Sequence, residues 1–98
     1  MLLAKSDNFK NLISLKISGI SMGDKGFQII INSNSLKQLE ALEVAGNSIS
    51  RKGLLKLIKS MLFPQLKKLD LRRNSLNDAD LLFLTQSSKF GNFKSIKF

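Results

Sequence analysis

One pattern recurs every twenty-seven residues, and it constrains this chain more than any other feature. Residues 66–76 read LKKLDLRRNSL, 39–49 read LEALEVAGNSI, 12–22 read LISLKISGISM, and 93–98 give a truncated FKSIKF, all in one register with no insertion. Self-similarity at a fixed period implies stacked copies of one supersecondary unit, none of which can bury its apolar residues alone. Two periodicities give the content of the unit. Leu69 and Leu71 are two apart and leave a strand on one face, while Lys68, Asp70 and Arg72 leave on the other. After a turn, Leu81, Leu84 and Phe90 recur at helix-like intervals, as do Leu54, Leu57, Ile58 and Phe63 one unit earlier, and Phe27, Ile30, Ile31 and Leu36 before those. The expectation is an α/β chain in which Leu15, Leu42, Leu69 and Ile96 form one buried column and Ile17, Val44, Leu71 and Phe98 the next. Phe9, Leu36, Phe63 and Phe90 should stack as an apolar spine just ahead of the strands.

The strand segment has the form L-x-x-L-x-L-x-x-N-x-L. Gly26 and Gly53 follow it at a fixed distance, with Phe27 and Leu54, then Ile30 and Leu57, behind them. On those residues the unit resembles the leucine-rich repeat, in the ribonuclease-inhibitor-like subclass found also in Ran GTPase-activating proteins and NOD-like receptors. The resemblance implies an α/β solenoid, a short right-handed arc with a parallel sheet on the concave side and helices on the convex side. Residues 1–98 would form a single domain: a half-repeat over 1–11, repeats starting at 12, 39 and 66, and a truncated fourth strand over 93–98. It also implies that Asn47 and Asn74 bond the turn backbone and stack as a ladder. Ile20 holds the matching position in the first repeat and cannot do so, which makes that corner the least regular; Gly19 beside it lets the backbone turn differently. Asp80 is a second departure, standing where the other repeats have Gly26 and Gly53.

Helix ends follow from local chemistry. The first helix should start within 21–26, with Asp24 as cap or first-turn acid, and stop at the polar run 32–35. A second is expected over 51–61, ended by Phe63-Pro64, and a third over 78–87, capped by Asn77 or Asp78. No apolar run escapes interruption by lysine, so no membrane span is expected, and 1–4 is too short for a signal-peptide core before Lys5. With no cysteine in the sequence, the expected location is intracellular, or a host cell if the chain is exported by a route that leaves no classical signal.

Catalytic material is scarce. The sequence has no His, Cys or Tyr, so the usual bases, nucleophiles and soft metal ligands are missing; an enzyme, a metal site and a cofactor are not expected. Glu43 and Asp70 fall opposite one another on neighbouring strands, but the column runs Lys16, Glu43, Asp70, Lys97 and reads as a mixed-charge surface rather than a carboxylate pair. The triple-glycine stretch 18–26 lacks the spacing of a phosphate loop.

What the resemblance implies is a scaffold that binds another protein through the concave strand face and adjoining loops. The candidate contacts are Ser14, Lys16, Ser18, Ala41, Glu43, Ala45, Lys68, Asp70, Arg72 and Arg73. Charge offers an alternative. The chain carries 16 basic and 7 acidic residues, and eight of the basic ones fall within 51–73, opposed there only by Asp70. Arg51 with the helical stripe Lys52, Lys56 and Lys59 could then hold nucleic acid or another anionic surface. Phe93, Ile96 and Phe98 reach core positions with no helix over them, so a further expectation is that the segment either continues in a longer parent chain or self-associates through the final strand.

Overall fold

A short strand can meet its parallel neighbour only after the chain has crossed over one face of the sheet, and here each crossover takes one sequence period. The computed structural model describes residues 12–87 and 93–98. In it β1 (Ser14–Lys16), α1 (Gly23–Ile31), β2 (Ala41–Glu43), α2 (Arg51–Lys59), β3 (Lys68–Asp70), α3 (Asp78–Thr85) and β4 (Ser95–Lys97) follow one another. The strands make one parallel four-stranded sheet in the order β1-β2-β3-β4. The protein is therefore α/β with a parallel sheet. The expected half-repeat over 1–11, with Phe9, and Phe90 of the apolar spine lie outside the described residues.

Strand pairing keeps the sequence register. Leu15, Leu42, Leu69 and Ile96 lie opposite one another across all three strand pairs. Leu42 and Leu69 are fully enclosed, Leu15 nearly so, and Ile96 half-buried at the edge. The second column is buried at its centre, at Val44 and Leu71, and opens at its ends. Ile17 is half-buried and Phe98 is 49% exposed, so Phe98 does not join the core as its position suggested. β4 pairs only with β3 among the described residues, and on that side Phe93 alone gains a ring partner, edge-on against Phe63 with centroids 5.3 Å apart.

All three helices pack on the leucine side of the sheet. Phe27, Ile30, Leu54, Leu57 and Leu84 close over Leu15, Leu42 and Leu69 in one continuous core, and α2 lies between α1 and α3. Short 3-10 turns, Asn34–Leu36 and Phe63–Gln65, bring the chain from α1 and α2 back to the sheet and seat Leu36 and Phe63 in the core with no exposed surface. α2 stops at Lys59, two residues before the expected end, because the Ser60 hydroxyl and amide both donate to the Leu57 carbonyl. Pro64 then sits inside the turn rather than terminating the helix itself.

The helix starts differ because one column of residues differs. Positions 23, 50 and 77 are Gly, Ser and Asn. Ser50 and Asn77 are extended N-caps, and Asn77 forms a reciprocal capping box with Asp80. Gly23 instead has φ +67° and no side chain, and α1 begins without a side-chain cap. Of the two roles expected for Asp24, it is the first-turn acid of α1 and not its cap. Its carboxylate crosses to the next unit, where it accepts from the Ser50 amide at 2.8 Å and from the Ser50 hydroxyl. A methyl group at position 53 would collide with that carboxylate, which explains the glycine there. At position 80 the facing residue is Arg51, and the glycine gives way to an aspartate that pairs with it at 2.7 Å.

The turns after the strands are tied together by two asparagines. Asn74 Nδ2 donates to the carbonyls of Val44 and Leu71, both at 3.0 Å, while its Oδ1 accepts from the amides of Asn47 and Ile49. Asn47, fully buried, repeats the arrangement one unit earlier, reaching the Ile17 and Ala45 carbonyls and accepting from the Ile20 amide at 3.0 Å. The ladder ends at Ile20, whose side chain is 56% exposed. That corner is also the most irregular: Gly19, Ser21 and Gly23 all have left-handed φ values.

Removing a ladder carboxamide leaves several backbone groups without partners, each costing about 1–3 kcal/mol when buried. Asn74→Leu should therefore destabilise the protein at least as much as Leu69→Ala, for which a cavity cost of about 2–5 kcal/mol is expected. Urea unfolding followed by circular dichroism compares the two. A change within about 0.5 kcal/mol of wild type for Asn74→Leu would mean that the ladder does not hold the turns.

Candidate partner-binding face of the sheet

Burial of Leu15, Leu42 and Leu69 on the helix side leaves the alternate strand residues on the opposite face. Two ranks cross it. One runs Ser14, Ala41, Lys68, Ser95 and the other Lys16, Glu43, Asp70, Lys97, each residue paired in register with the next. Ser14, Lys16, Ser18, Lys68, Arg72 and Arg73 are exposed, and Ala41 and Glu43 half-buried.

Two candidates prove to offer little surface. Ala45 is 3% exposed, because the turn backbone closes on both sides of it: Gly19 donates to its carbonyl, Gly46 donates to that of Arg72, and a methyl group is too short to rise past them. Asp70 is 5% exposed and is taken up by Arg72 of its own unit, whose Nε and Nη2 reach the two carboxylate oxygens at 3.0 and 2.9 Å. The Arg72 amide adds a third bond to the same carboxylate. The Arg72 side chain, by hydrogen bond first, holds the Asp70 carboxyl below its ordinary value against the opposing effect of burial. Asp70 and Glu43 are therefore register neighbours without being a shared carboxylate pair. Arg73 occupies the left-handed region, φ +56°, where its equivalents are Gly19 and Gly46, a conformation that costs a side-chain-bearing residue about 1–2 kcal/mol.

Two shallow hollows sit on this face. One of about 400 Å³ is lined by Ile13, Ser14, Glu40, Ala41, Glu43, Lys67, Lys68 and Lys94. The other, of about 190 Å³, is lined by Glu43, Lys68, Leu69, Asp70, Ser95 and Lys97. The rank of Ile13, Glu40, Lys67 and Lys94, one residue ahead of each strand, was not among the candidates read from the sequence. Its signal was the same period carried one place further, and the turn backbone brings it to the rim: Glu40 donates its amide to the Ile13 carbonyl and Lys94 to that of Lys67, both at 2.7 Å. A roomier hollow of about 710 Å³ beside α1 is lined by Gln28, Ile29 and 32–35, with Lys25 its one titratable group.

The run of basic residues over 51–73 divides between two faces. Lys52, Lys56 and Lys59 are exposed on α2, on the far side of the core from Lys68 and Arg72. Arg51, its side chain 52% exposed, pairs through its guanidinium with Asp80 and lies 5.0 Å over the Phe83 ring, unlike the three lysines. Among the described residues no group of three or more His, Cys, Asp or Glu side chains gathers, and no helix is long and apolar enough to cross a membrane. Compared with protein-family models and with curated proteins, the chain matches none.

Two carboxylates link this geometry to pH. Asp80 is held below its ordinary value first by the Asn77 amide and then by Arg51, as Asp70 is by Arg72. A carboxylate with a depressed folded pKa contributes stability in full above its unfolded value, near 3.8, and loses it as pH falls through the folded value. Stability should thus decline progressively below about pH 4, and Asp70→Asn should flatten that decline while lowering stability at neutral pH. Urea midpoints measured across the acid range check both; an unchanged acid limb in Asp70→Asn would contradict the assignment.

Proposed function

We propose that the chain is a leucine-rich-repeat scaffold, a short solenoid that binds a partner protein across the outward face of its parallel sheet, with the helices on the convex side. The observation that carries this reading is the uninterrupted register of four strands. It lays Ser14, Lys16, Glu43, Lys68 and Lys97 out around the small apolar Ala41 as one outward surface with no helix over it among the described residues. Two further features favour it. The buried asparagine ladder is the arrangement that the resemblance implies for this repeat class. Arg72, fixed by two hydrogen bonds to Asp70, offers a pre-set arginine of the kind that anchors interfaces.

Ala41 sits at the centre of the face between Ser14 and Lys68, so bulk placed there blocks the surface without touching the core. Proteins captured by immobilised wild type should be lost with Ala41→Trp and retained with Lys52, Lys56 and Lys59 all changed to Gln. Capture that is indifferent to Ala41→Trp would overturn the reading.

A second reading, an anionic-surface binder, is favoured by one observation. Lys52, Lys56 and Lys59 have no ion-pair partner among the described residues, and Lys52 and Lys56 line a hollow with Lys25. It predicts capture that follows those lysines instead, with a steep salt dependence.

A further inference from the structure

The outward face of the sheet is electrically lopsided. On and beside β3 and β4 stand Lys67, Lys68, Arg72, Arg73, Lys94 and Lys97, with Asp70 their one acid. On and beside β1 and β2 the acids Glu40 and Glu43 outnumber Lys16. The cations are not equally available. Arg72 is neutralised by Asp70, and Lys67 is held loosely by Glu40 at 3.6 Å, both side chains being nearly half exposed. Lys68, Lys94 and Lys97 have no salt-bridge partner among the described residues. Lys68 lines both hollows; Lys94 completes the wall of one and Lys97 that of the other. Three ammonium groups without a salt-bridge partner among the described residues therefore line a two-part depression, its hollows sharing Glu43 and Lys68, and Lys97 also acts from a distance on Asp70.

We infer that this depression receives an acidic segment of a partner polypeptide, its carboxylates on Lys68, Lys94 and Lys97. The inference rests on the reading of the sheet face as the binding surface and adds the sign of the partner. A protein segment fits better than nucleic acid for two reasons. Glu43 and Asp70 also line the hollows, and a duplex, with a charge roughly every 1.7 Å of its axis, cannot avoid them, whereas a peptide can space its carboxylates around them. Among the described residues the outward ranks of the strands also carry no ring for a base to stack on: Phe27 and Phe63 are buried, Phe93 is turned against Phe63, Phe83 belongs to α3, and Phe98, 49% exposed, follows the last strand pair. The acids on the β1–β2 side set direction, since a basic residue in the partner next to its acidic stretch would find Glu40 and Glu43.

The probe is a fluorescein-labelled peptide of about ten residues alternating Glu and Ser, titrated by anisotropy into the full chain at about 0.15 M salt. A Lys-Ser peptide of the same length and a single-stranded oligothymidylate serve as comparisons. Expected are saturable binding of the Glu-Ser peptide alone and amide shifts in nuclear magnetic resonance spectra clustered on β3 and β4. Lys68, Lys94 and Lys97 all changed to Gln should weaken it roughly tenfold, and the α2 lysine variant should leave it unchanged. Failure of the Glu-Ser peptide to bind, shifts clustered on α2, tighter binding of the oligonucleotide to β3–β4, or equal loss in the two lysine variants would each overturn the inference. The shift map uses the wild-type protein, so a poorly folding variant does not protect the idea. A captured protein lost with Ala41→Trp but indifferent to Lys68, Lys94 and Lys97 would refute the inference and leave the scaffold reading standing; capture indifferent to Ala41→Trp would remove that reading itself.

Discussion

The carboxamides of Asn47 and Asn74 do what no apolar contact could do at the same place. The turn after each strand lies against the next unit, where part of its backbone is withdrawn from water, and a buried amide or carbonyl without a partner is expensive. Each asparagine presents both donors and acceptor to those groups, reaching into its own turn and into that of the unit before it. This double reach ties the first unit to the second and the second to the third at their turns, in the register that the strand pairs and leucine columns share. Where the ladder runs out, at Ile20, the backbone shows its densest set of left-handed residues.

Much of this was legible in the sequence because a period is a long-range statement disguised as a local one. A twenty-seven-residue repeat says that Leu42 lies beside Leu69 as surely as a contact would, and the strand pairs agree. The α/β class, the helix positions and the column of Leu15, Leu42, Leu69 and Ile96 came from it, and local chemistry narrowed the last N-cap to Asn77 or Asp78, of which the structure uses Asn77. What was not legible are the contacts that step off the period. Asp24 meets Ser50, twenty-six residues on, and Arg51 meets Asp80, twenty-nine on. Neither pair aligns in the repeat, so Asp24 read as a cap or first-turn acid of its own helix and Arg51 as part of an anion-binding cluster, with no sign of the partner in the next unit. Asp70 and Ala45 misled for another reason: strand alternation assigns a face, but the length of the side chain and the neighbours beside it decide exposure.

The basic residues illustrate how a fold redistributes what a chain concentrates. Over 51–73 they form one dense run, yet the α2 lysines and the β3 lysines end on opposite sides of a layer of leucine and phenylalanine. On the sheet side, some cations are spent internally, Arg72 on Asp70, and others are left free. Net charge therefore says nothing of the pattern, which on the sheet runs Lys16, Glu43, Asp70, Lys97 with the surplus of cations beside β3 and β4.

The off-period pairs also make the units non-interchangeable. Asp24 is an acceptor facing the helix start of the second unit, while Arg51, at the same point of the next unit, is a donor facing an aspartate in the third. Duplicating the second unit in tandem would set an arginine against Ser50 and Gly53, donors facing a donor where a carboxylate now sits. Exchanging the second and third would bring the Asp24 and Asp80 carboxylates together. The ends of α1, α2 and α3 thus act as a key that admits one neighbour on each side. The array carries an order and a direction, and it could not lengthen by simple copying of its central unit without a compensating change at position 51 or 53.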